Sequence, residues 1–374
     1  MPRLRVLTVF GTRPEAVKLA PVIRELARFP ERVDSRVCVT AQHRDMLDQV
    51  LEIFGIQPHY DLDVMQDNQS PTQVAAAVLQ RLEPILQSEK PDWVLVQGDT
   101  TTVAVAALAA FYARACVGHV EAGLRTGDRW QPFPEEINRR VAGVIADRHF
   151  APTQRSRDNL LHENVPAKRI LVTGNPGIDA LRWITAQPQN PLVHDLLIEA
   201  PEAHTILVTA HRRENFGEPL RQICAALREI AETYAGSARI VYPVHRNPNV
   251  WGPVHSLLGD VPNITLRPPL DYLSNLQLMK RSYLVLTDSG GMQEEATGLG
   301  VPALVLREVT ERPEGVETGA LRLVGTDRTR IVSQVSRLLE DTAEYARMAT
   351  ADNPFGDGHA SERIVASLLD KPRA

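Results

Sequence analysis

DWVLVQGDTTTVAVAALAAFYARACVGHV, residues 92–120, decides the fold of this 374-residue chain. The stretch opens with a short apolar, β-branched run, passes through a turn into a helical pattern, and closes with a second β-branched run. A strand, a helix and a strand of these lengths form a βαβ unit whose two strands lie parallel. The segment therefore predicts a parallel α/β sheet.

The same alternation extends along the rest of the chain. RVLTVF, SRVCVT and RHFAP are further predicted strands of the first half, and HTILVTAH, ARIVYPV, NITLRP, YLVLTDS and VPALVL are those of the second half. We predict two doubly wound, Rossmann-like domains, 1–170 and 171–357, with a C-terminal helix within 358–374 joining the first. Such folds bind ligands at the carboxyl ends of their strands, so we expect an active-site cleft between the domains.

Composition narrows the class of partner. A formal net charge of −5 gives no electrostatic case for nucleic acid, and 43% hydrophobic with 23% charged residues is typical of a globular protein. The apolar runs of the sequence are too short to predict a signal peptide or a membrane-spanning helix. The three cysteines, Cys38, Cys116 and Cys224, are far apart and are expected to be free thiols in a reducing compartment. We therefore predict a cytoplasmic protein with a small-molecule partner.

Carboxylates follow two predicted strands of the first domain. Asp99 comes after VLVQ and Glu121 after CVGHV, while PFPEE starts a helix with Glu135, Glu136 and Arg139 near its first turn. Carboxylates that converge from separate strand ends raise one another's pKa values, which suits general acid–base chemistry near neutral pH. The alternative is that Asp99 is only a helix N-cap and that the other charges form a solvated face.

A basic cluster follows the first strand. In FGTRPEAVK, Gly11 ends the strand and Arg13 and Lys18 lie on the helix after it, which predicts an anion site. The segment lacks the GxGxxG dinucleotide fingerprint, so we expect no nicotinamide cofactor. A capped turn with solvated charges is the alternative.

The second domain repeats this arrangement with histidines. His211 and Arg212 follow HTILVTA, and His245 and Arg246 follow ARIVYPV. Two His-Arg pairs at successive strand ends favour a phosphate-binding or acid–base site over two unrelated structural histidines.

A glycine pair follows the predicted strand YLVLTDS. Ser289, Gly290 and Gly291 precede a helix whose unpaired amides and dipole attract phosphate, and Glu294 and Glu295 one turn later suit ribose hydroxyls. The alternative is a capped helix without a ligand. HExxH, Cys/His quartets, GxSxG and Walker loops do not occur in the sequence, so we predict no metal.

Ten segments together resemble the non-hydrolysing UDP-N-acetylglucosamine 2-epimerases, in family order and over essentially the whole chain. They are GTRPEAVKLAPV, TAQHRDMLDQVL, QGDTTT, HVEAGLRTGD, PFPEEINRR, TGNPGIDAL, TAHRRENFG, YPVHRNP, DSGGMQEEA and NPFGDGHASERI. The resemblance implies a glycosyltransferase-B type fold with UDP held mainly by the C-terminal domain. It also implies a homodimer that interconverts UDP-GlcNAc and UDP-ManNAc, supplying ManNAc units to cell-surface polysaccharide.

The resemblance assigns roles to individual residues. It implies that the catalytic residues are Asp99, Glu121, Glu135 and His211. With the basic residues noted above, the candidate substrate-binding residues are Arg13, Lys18, Arg139, Arg212, His245, Ser289, Gly290, Gly291 and Glu295. Gln42, His43 and Arg44 resemble a segment that helps form a regulatory UDP-GlcNAc site in bacterial members.

The chemistry at C2 of the sugar explains the paired charges. Because the C2 proton is not adjacent to a carbonyl, we expect UDP to leave from C1 while a base takes that proton, giving a 2-acetamidoglucal to which UDP then adds back. Which carboxylate takes which proton stays open. The alternatives are a hydrolysing epimerase that releases ManNAc and UDP, a glycosyltransferase with the same fold, and a non-catalytic nucleotide-sugar sensor.

Overall fold

Two parallel sheets organise the chain, which the computed structural model describes over residues 2–40, 44–65, 69–198 and 202–370. One unit comprises Met1–Ala180 with Gly356–Ala374, and the other comprises Leu181–Phe355. The prediction of a doubly wound α/β architecture with two parallel sheets is confirmed.

The first unit has a seven-stranded sheet of order β3-β2-β1-β4-β5-β6-β7. Its strands are β1 (Leu4–Phe10), β2 (Val33–Val39), β3 (Tyr60–Asp61), β4 (Trp93–Gln97), β5 (Cys116–Val120), β6 (Arg148–Ala151) and β7 (Ile170–Val172). Its helices are α1 (Arg13–Leu26), α2 (Arg44–Phe54), α3 (Pro71–Glu89), α4 (Thr101–Tyr112), α5 (Glu135–Ile145) and α6 (Gln154–His162). The division between the units falls within α7 (Pro176–Thr185).

The second unit has a six-stranded sheet of order β10-β9-β8-β11-β12-β13. Its strands are β8 (His204–Thr209), β9 (Ala238–Pro243), β10 (Ile264–Arg267), β11 (Leu284–Thr287), β12 (Ala303–Val305) and β13 (Leu321–Leu323). Its helices are α8 (Pro191–Ile198), α9 (Glu218–Thr233), α10 (Pro248–Leu258), α11 (Tyr272–Arg281), α12 (Gly290–Gly298), α13 (Pro313–Glu317), α14 (Arg328–Glu340) and α15 (Thr342–Ala349).

The last helix, α16 (Ala360–Asp370), belongs to the first unit and packs on α1. Its first turn is capped by Asp179, whose Oδ1 accepts the Ser361 amide at 2.8 Å and whose Oδ2 accepts the Ala360 amide at 3.2 Å. A carboxylate at a helix N-terminus satisfies amides that lack partners within the helix. The chain therefore returns to its first unit after completing the second.

Each sheet is buried by helices packed in two groups. In the first unit α1 contacts α2 and α16, while α4 contacts α3 and α5; in the second, α9 contacts α10 and α14, while α11 contacts α8 and α12. All five residues of β4 are buried, as expected for a parallel strand covered on both faces. Each unit therefore has its own apolar core.

The strand order places a topological switch point in both sheets. In the first unit the chain leaves β1 toward β2 on one side and later enters β4 on the other; in the second unit β8 and β11 flank the corresponding point. Loops that leave two such strands in opposite directions open a crevice at their carboxyl ends, where α/β proteins bind ligands.

Candidate active site

The carboxyl ends of β4 and β5 carry two of the predicted acids. Gly98 follows β4 with φ +81°, and Glu121 follows β5 with φ +62°. The left-handed conformation suits glycine, but it is unusual and costly for glutamate, and non-glycine residues held in it cluster at functional sites. Residue 121 is therefore a position where the fold imposes backbone strain on an acid.

The carboxylate of Glu121 is buried and surrounded by donors. Lys18 Nζ donates to its Oε1 at 2.5 Å, and Asn175 Nδ2 donates to the same oxygen at 3.3 Å. Gln97 Nε2 donates to Oε2. Since the residue is only 6% exposed, these contacts fix the orientation of the carboxylate and balance its charge with an ammonium group.

Asp99 is held by an arginine rather than by a helix end. Arg139 donates to Asp99 Oδ2 from Nε at 2.9 Å, and its Nη2 lies 2.7 Å from the same oxygen. The N-cap of α4 is Thr100, whose hydroxyl accepts the Val103 amide at 3.3 Å. The alternative that Asp99 is only an N-cap is therefore wrong.

Glu136 extends this ion pair into a network. Its fully buried carboxylate lies 3.2 Å from Arg139 Nη1, and it accepts the backbone amides of Thr126 at 3.1 Å and Gly127 at 3.4 Å. It therefore anchors the loop that follows β5 to the first turn of α5. The alternative of a solvated charged face does not apply to Asp99, Glu136 and Arg139.

Glu135 begins α5 and differs from these acids. Its Oε2 is buried, and it meets no hydrogen-bond donor among the residues that the structure describes. A carboxylate oxygen shielded from water without a protein donor is costly unless another group binds it. Among the candidate acids of the first unit, Glu135 is thus the one with a buried carboxylate oxygen that no described donor satisfies.

Sequence reasoning missed Glu15, which ties two strand ends together. Its Oε2 accepts the amides of Gly11 at 2.9 Å and Thr12 at 2.6 Å, and its Oε1 accepts the Thr100 hydroxyl at 2.7 Å. Burial raises the pKa of the Glu15 carboxyl, and these hydrogen bonds oppose the rise. The pattern Thr12-Arg13-Pro14-Glu15 is a capping box that could have identified this residue.

His119 is a second buried residue whose role the sequence patterns did not indicate. Its buried Nε2 donates to the carbonyl oxygen of Gly98 at 2.7 Å, and so supports the turn that carries Asp99. Burial lowers the pKa of His119 to about 4, so the imidazole is neutral near pH 7.

Arg13, a predicted anion-binding residue, is the first residue of α1, and its side chain is exposed.

In the second unit, Asp288 organises the ends of β8 and β11. Its Oδ2 accepts the amides of His211 and Arg212, each at 2.8 Å, and the Asn215 side chain at 3.0 Å. Burial acts against its charge, but the His211 imidazole and these amides outweigh burial and lower the pKa of Asp288. Asp288 lies in the segments YLVLTDS and DSGGMQEEA, yet nothing in those patterns marks it as the residue that shapes the turn after β8.

The two predicted histidines lie together. The rings of His211 and His245 stack with centroids 5.4 Å apart, and His211 Nδ1 lies 3.2 Å from Asp288 Oδ1. The Asn247 amide donates to His245 Nδ1 at 3.1 Å, which requires that nitrogen to be unprotonated. Partial burial and then the neighbouring His211 lower the pKa of His245.

Ser289 is the N-cap of α12, and Gly290 and Gly291 form its first turn, as predicted.

The two glutamates one turn later differ in their partners. Tyr272 donates its hydroxyl to Glu295 Oε1 at 3.1 Å. Glu294 is buried and ion-paired with Arg312, so it is committed to the protein rather than to a ribose. Arg212 reaches this turn as well, since its Nε donates to the Asp288 carbonyl oxygen at 2.9 Å.

Three further predictions concern a regulatory site. Gln42 and His43 lie outside the described residues, as does the side chain of Arg44, which begins α2. This site stays a prediction.

Comparison with known proteins places this arrangement in a family. Residues 24–369 match the family model for UDP-N-acetylglucosamine 2-epimerase. The UDP-N-acetylglucosamine 2-epimerase of Escherichia coli K12 is 53% identical over 371 residues, covering 98% of each chain. That of Bacillus subtilis is 51% identical over 369 residues, covering 99% of this chain and 96% of the relative. The chain belongs to the UDP-N-acetylglucosamine 2-epimerase family.

A solved structure of this family supports the fold. The UDP-GlcNAc 2-epimerase of Neisseria meningitidis, bound to UDP-GlcNAc, matches with a TM-score of 0.89 and 46% identity, covering 98% of this chain and all of that chain. The resemblance noted from the sequence is thereby confirmed at the level of the epimerase family, which is a family of enzymes. Within the described residues, no helix is long and apolar enough to cross a membrane.

Proposed function

We propose that this enzyme interconverts UDP-GlcNAc and UDP-ManNAc by elimination and re-addition of UDP, without hydrolysis. The observation that carries the proposal is the identity of about half of all residues with named UDP-N-acetylglucosamine 2-epimerases over 98% of the chain. The strained acid at the end of β5 and the ion-paired acid after β4 supply groups of the required chemistry.

The reaction needs a base, an acid and a stabilised leaving group. In the forward half, the C2–H and C1–O bonds break, C1 and C2 become a double bond, and the electron pair of the C1–O bond stays on the departing diphosphate. In the return half, the diphosphate oxygen attacks C1 and a proton reaches C2 from the opposite face. Two protonation sites on different faces of the ring are therefore required.

The carboxylates of the first unit suit these roles in different ways. Glu135 has a buried Oε2 without a donor among the described residues and is the proposed proton acceptor at C2. Asp99, oriented by Arg139, and Glu121, held by Lys18, are the proposed partners that return the proton and accompany the leaving oxygen. Arg139 then acts by positioning Asp99, which refines its earlier assignment to substrate binding.

The second unit is proposed to hold UDP. The amides at the start of α12, after Ser289, attract the diphosphate, and His211 and His245 present imidazoles next to Asp288. His211, oriented by the Asp288 carboxylate 3.2 Å from its Nδ1, is proposed to lie beside the diphosphate as UDP leaves. Glu295 is the proposed acceptor of ribose hydroxyls.

A homodimer is part of the proposal. Ile137, Val141 and Val144 follow one another at helical spacing on α5, and their side chains are exposed, with Val144 86% exposed. Phe111 and Tyr112, at the end of the neighbouring α4, are 61% and 69% exposed. An apolar surface of this kind is typical of a contact between protein chains.

We also propose that the enzyme works in the cytoplasm, in keeping with its free cysteines, and supplies ManNAc units for cell-surface polysaccharide.

Proton NMR of UDP-GlcNAc with the purified enzyme in deuterated water, without added cofactor, tests the reaction. We expect UDP-ManNAc to appear and deuterium to enter C2 of both sugars as the mixture equilibrates. Epimerisation that retained the original C2 proton would contradict solvent-exchanging acid–base chemistry. Release of free ManNAc would instead establish hydrolysis.

A further inference from the structure

A pocket of about 590 Å³ lies at the edge of the second unit's sheet, where β13 meets α14 and α15. Four of its lining residues are arginines, namely Arg322, Arg330, Arg337 and Arg347, and one is an acid, Glu344. None of these residues belongs to the carboxyl ends of β8 and β11 described above. The positive charge of this pocket is therefore separate from the charges of the candidate active site.

Three of the guanidiniums share one carboxylate. Arg322 Nη2 donates to Glu344 Oε1 at 2.5 Å, and Arg337 Nη2 lies 3.3 Å from the same oxygen. Arg347 is also ion-paired with Glu344. With one negative charge against three positive charges, this cluster keeps an excess of two positive charges.

The fourth arginine is paired outside the cluster. Arg330 Nη1 lies 3.4 Å from Glu308 Oε2, and its Nη2 donates to the Leu323 carbonyl oxygen at 2.9 Å. Arg330 thus closes one side of the pocket without compensating the excess charge on the other three. Burial, and then the charge of Arg337, lower the pKa of Arg322, as expected where like charges crowd together.

The geometry leaves donors for an incoming anion. Each guanidinium has five N–H donors, far more than one carboxylate can accept from three arginines. The Arg337 and Arg347 side chains are 52% and 70% exposed, whereas that of Glu344 is 2% exposed. The carboxylate therefore lies beneath the arginines, and their outer edges face the opening of the pocket.

We propose that this arginine pocket binds the phosphate group of a phosphorylated small molecule. Paired guanidiniums recognise phosphate oxygens with directional, charge-assisted hydrogen bonds. The volume exceeds that of a phosphate ion and falls within the range of small-molecule sites. Leu323 and Met348 in the lining provide apolar surface for the organic part of such a ligand.

Met348 offers a local probe that does not depend on activity. It is one of six methionines in the chain, so ¹³C-methyl labelling gives few signals, and the variant Met348→Leu assigns its own. Inorganic pyrophosphate is titrated in the presence and absence of excess UDP, which separates this pocket from any nucleotide site. We expect a saturable shift of the Met348 signal that persists with UDP present.

The double variant Arg337→Gln/Arg347→Gln is expected to weaken this binding by at least about tenfold, because two charge-assisted contacts are lost. The single variant Arg347→Gln should give an intermediate loss. Arg221→Gln is the matched control, since Arg221 is 67% exposed on α9 and does not line the pocket. No saturable Met348 shift in the wild type, or the same affinity in the double variant, would overturn the proposal.

Discussion

Lys18 Nζ and Glu121 Oε1, 2.5 Å apart, join the second turn of α1 to the residue that follows β5. The side chains are 17% and 4% exposed, so water compensates little if either charge is removed. The pair connects the predicted anion site after β1 with the predicted acid after β5.

Lys18→Met should therefore impair both stability and catalysis. Removing one partner of a largely buried ion pair leaves an uncompensated carboxylate, and we expect the free energy of unfolding to fall by about 3 kcal/mol and kcat/KM by at least about tenfold. Urea unfolding and epimerase assays measure the two effects. Lys168→Met, at an exposed position, should change neither.

Replacing the proposed catalytic acids should separate chemistry from binding. Glu135→Gln and Asp99→Asn keep side-chain size but remove proton transfer, so kcat should fall by about 10²–10⁴-fold. Calorimetry should find UDP affinity nearly unchanged, because the proposed diphosphate contacts lie in the second unit. Asp158→Asn, on α6, serves as the control; undiminished turnover in Glu135→Gln would remove Glu135 from the mechanism.

His119 predicts a pH dependence of stability. Its pKa is lowered from 6.5 to about 4, so below pH 6.5 the unfolded chain binds a proton that the folded protein refuses. Stability should fall between pH 6.5 and pH 4, by about 3 kcal/mol from this group. His119→Gln, whose amide can still donate to Gly98, should make this part of the stability profile shallower, and buried His149, with a pKa lowered to about 3, accounts for the slope that stays. His162→Gln at an exposed position should leave the profile intact. Parallel profiles for wild type and His119→Gln would refute the assignment.

Two glycines of HVEAGLRTGD allow a matched comparison. A Cβ at Gly123, where φ is +92°, would lie 2.2 Å from the Ser156 carbonyl oxygen, whereas one at Gly127, with φ +82°, has no atom within 4 Å among the described residues. Gly127→Ala should cost about 1 kcal/mol for the backbone conformation alone, and Gly123→Ala at least about 3 kcal/mol because backbone must also move. Chemical denaturation measures both. Equal losses of unfolding free energy would mean that the close approach of the Gly123 backbone to Ser156 does not affect stability.

Asp288→Asn tests the turn after β8. The amide cannot accept all the donors that converge on the carboxylate, so we expect a loss of about 3 kcal/mol at neutral pH. Because the folded pKa of Asp288 lies below 3.8, its ionised form contributes this stability above pH 3.8, and the contribution is lost as pH falls through the folded pKa. Denaturant titrations from pH 7 to pH 3 should therefore show the two proteins converging at the acid end. A constant difference would point to a packing effect instead.

Sequence periodicity predicted the elements that position the site. β4, α4 and β5 carry continuous apolar or β-branched runs, and Thr100, Pro134 and Ser289 stand at helix starts where turn chemistry is local. These features depend on residues within a few positions of one another. That is why the placement of Asp99, Glu121 and Glu135 at strand and helix ends could be predicted.

Contacts between distant segments could not be predicted. Asp99 meets Arg139 forty positions later, and Asp288 shapes a turn seventy-seven positions earlier, so no local pattern reveals either pair. The helix α10 leaves only a weak helical pattern in the sequence, because Gly252 and Pro253 interrupt it, although tertiary packing keeps the segment helical. The two-residue strand β3 is too short to leave a periodic signal.

The capping of α16 by Asp179 has a consequence for synthesis on the ribosome. The second unit is encoded by one uninterrupted stretch, but the first receives a helix translated after that stretch. Domains usually fold in the order of their translation. Here the amino-terminal unit starts first and finishes last, so a nascent chain paused within α15 carries an α1 surface still awaiting its partner.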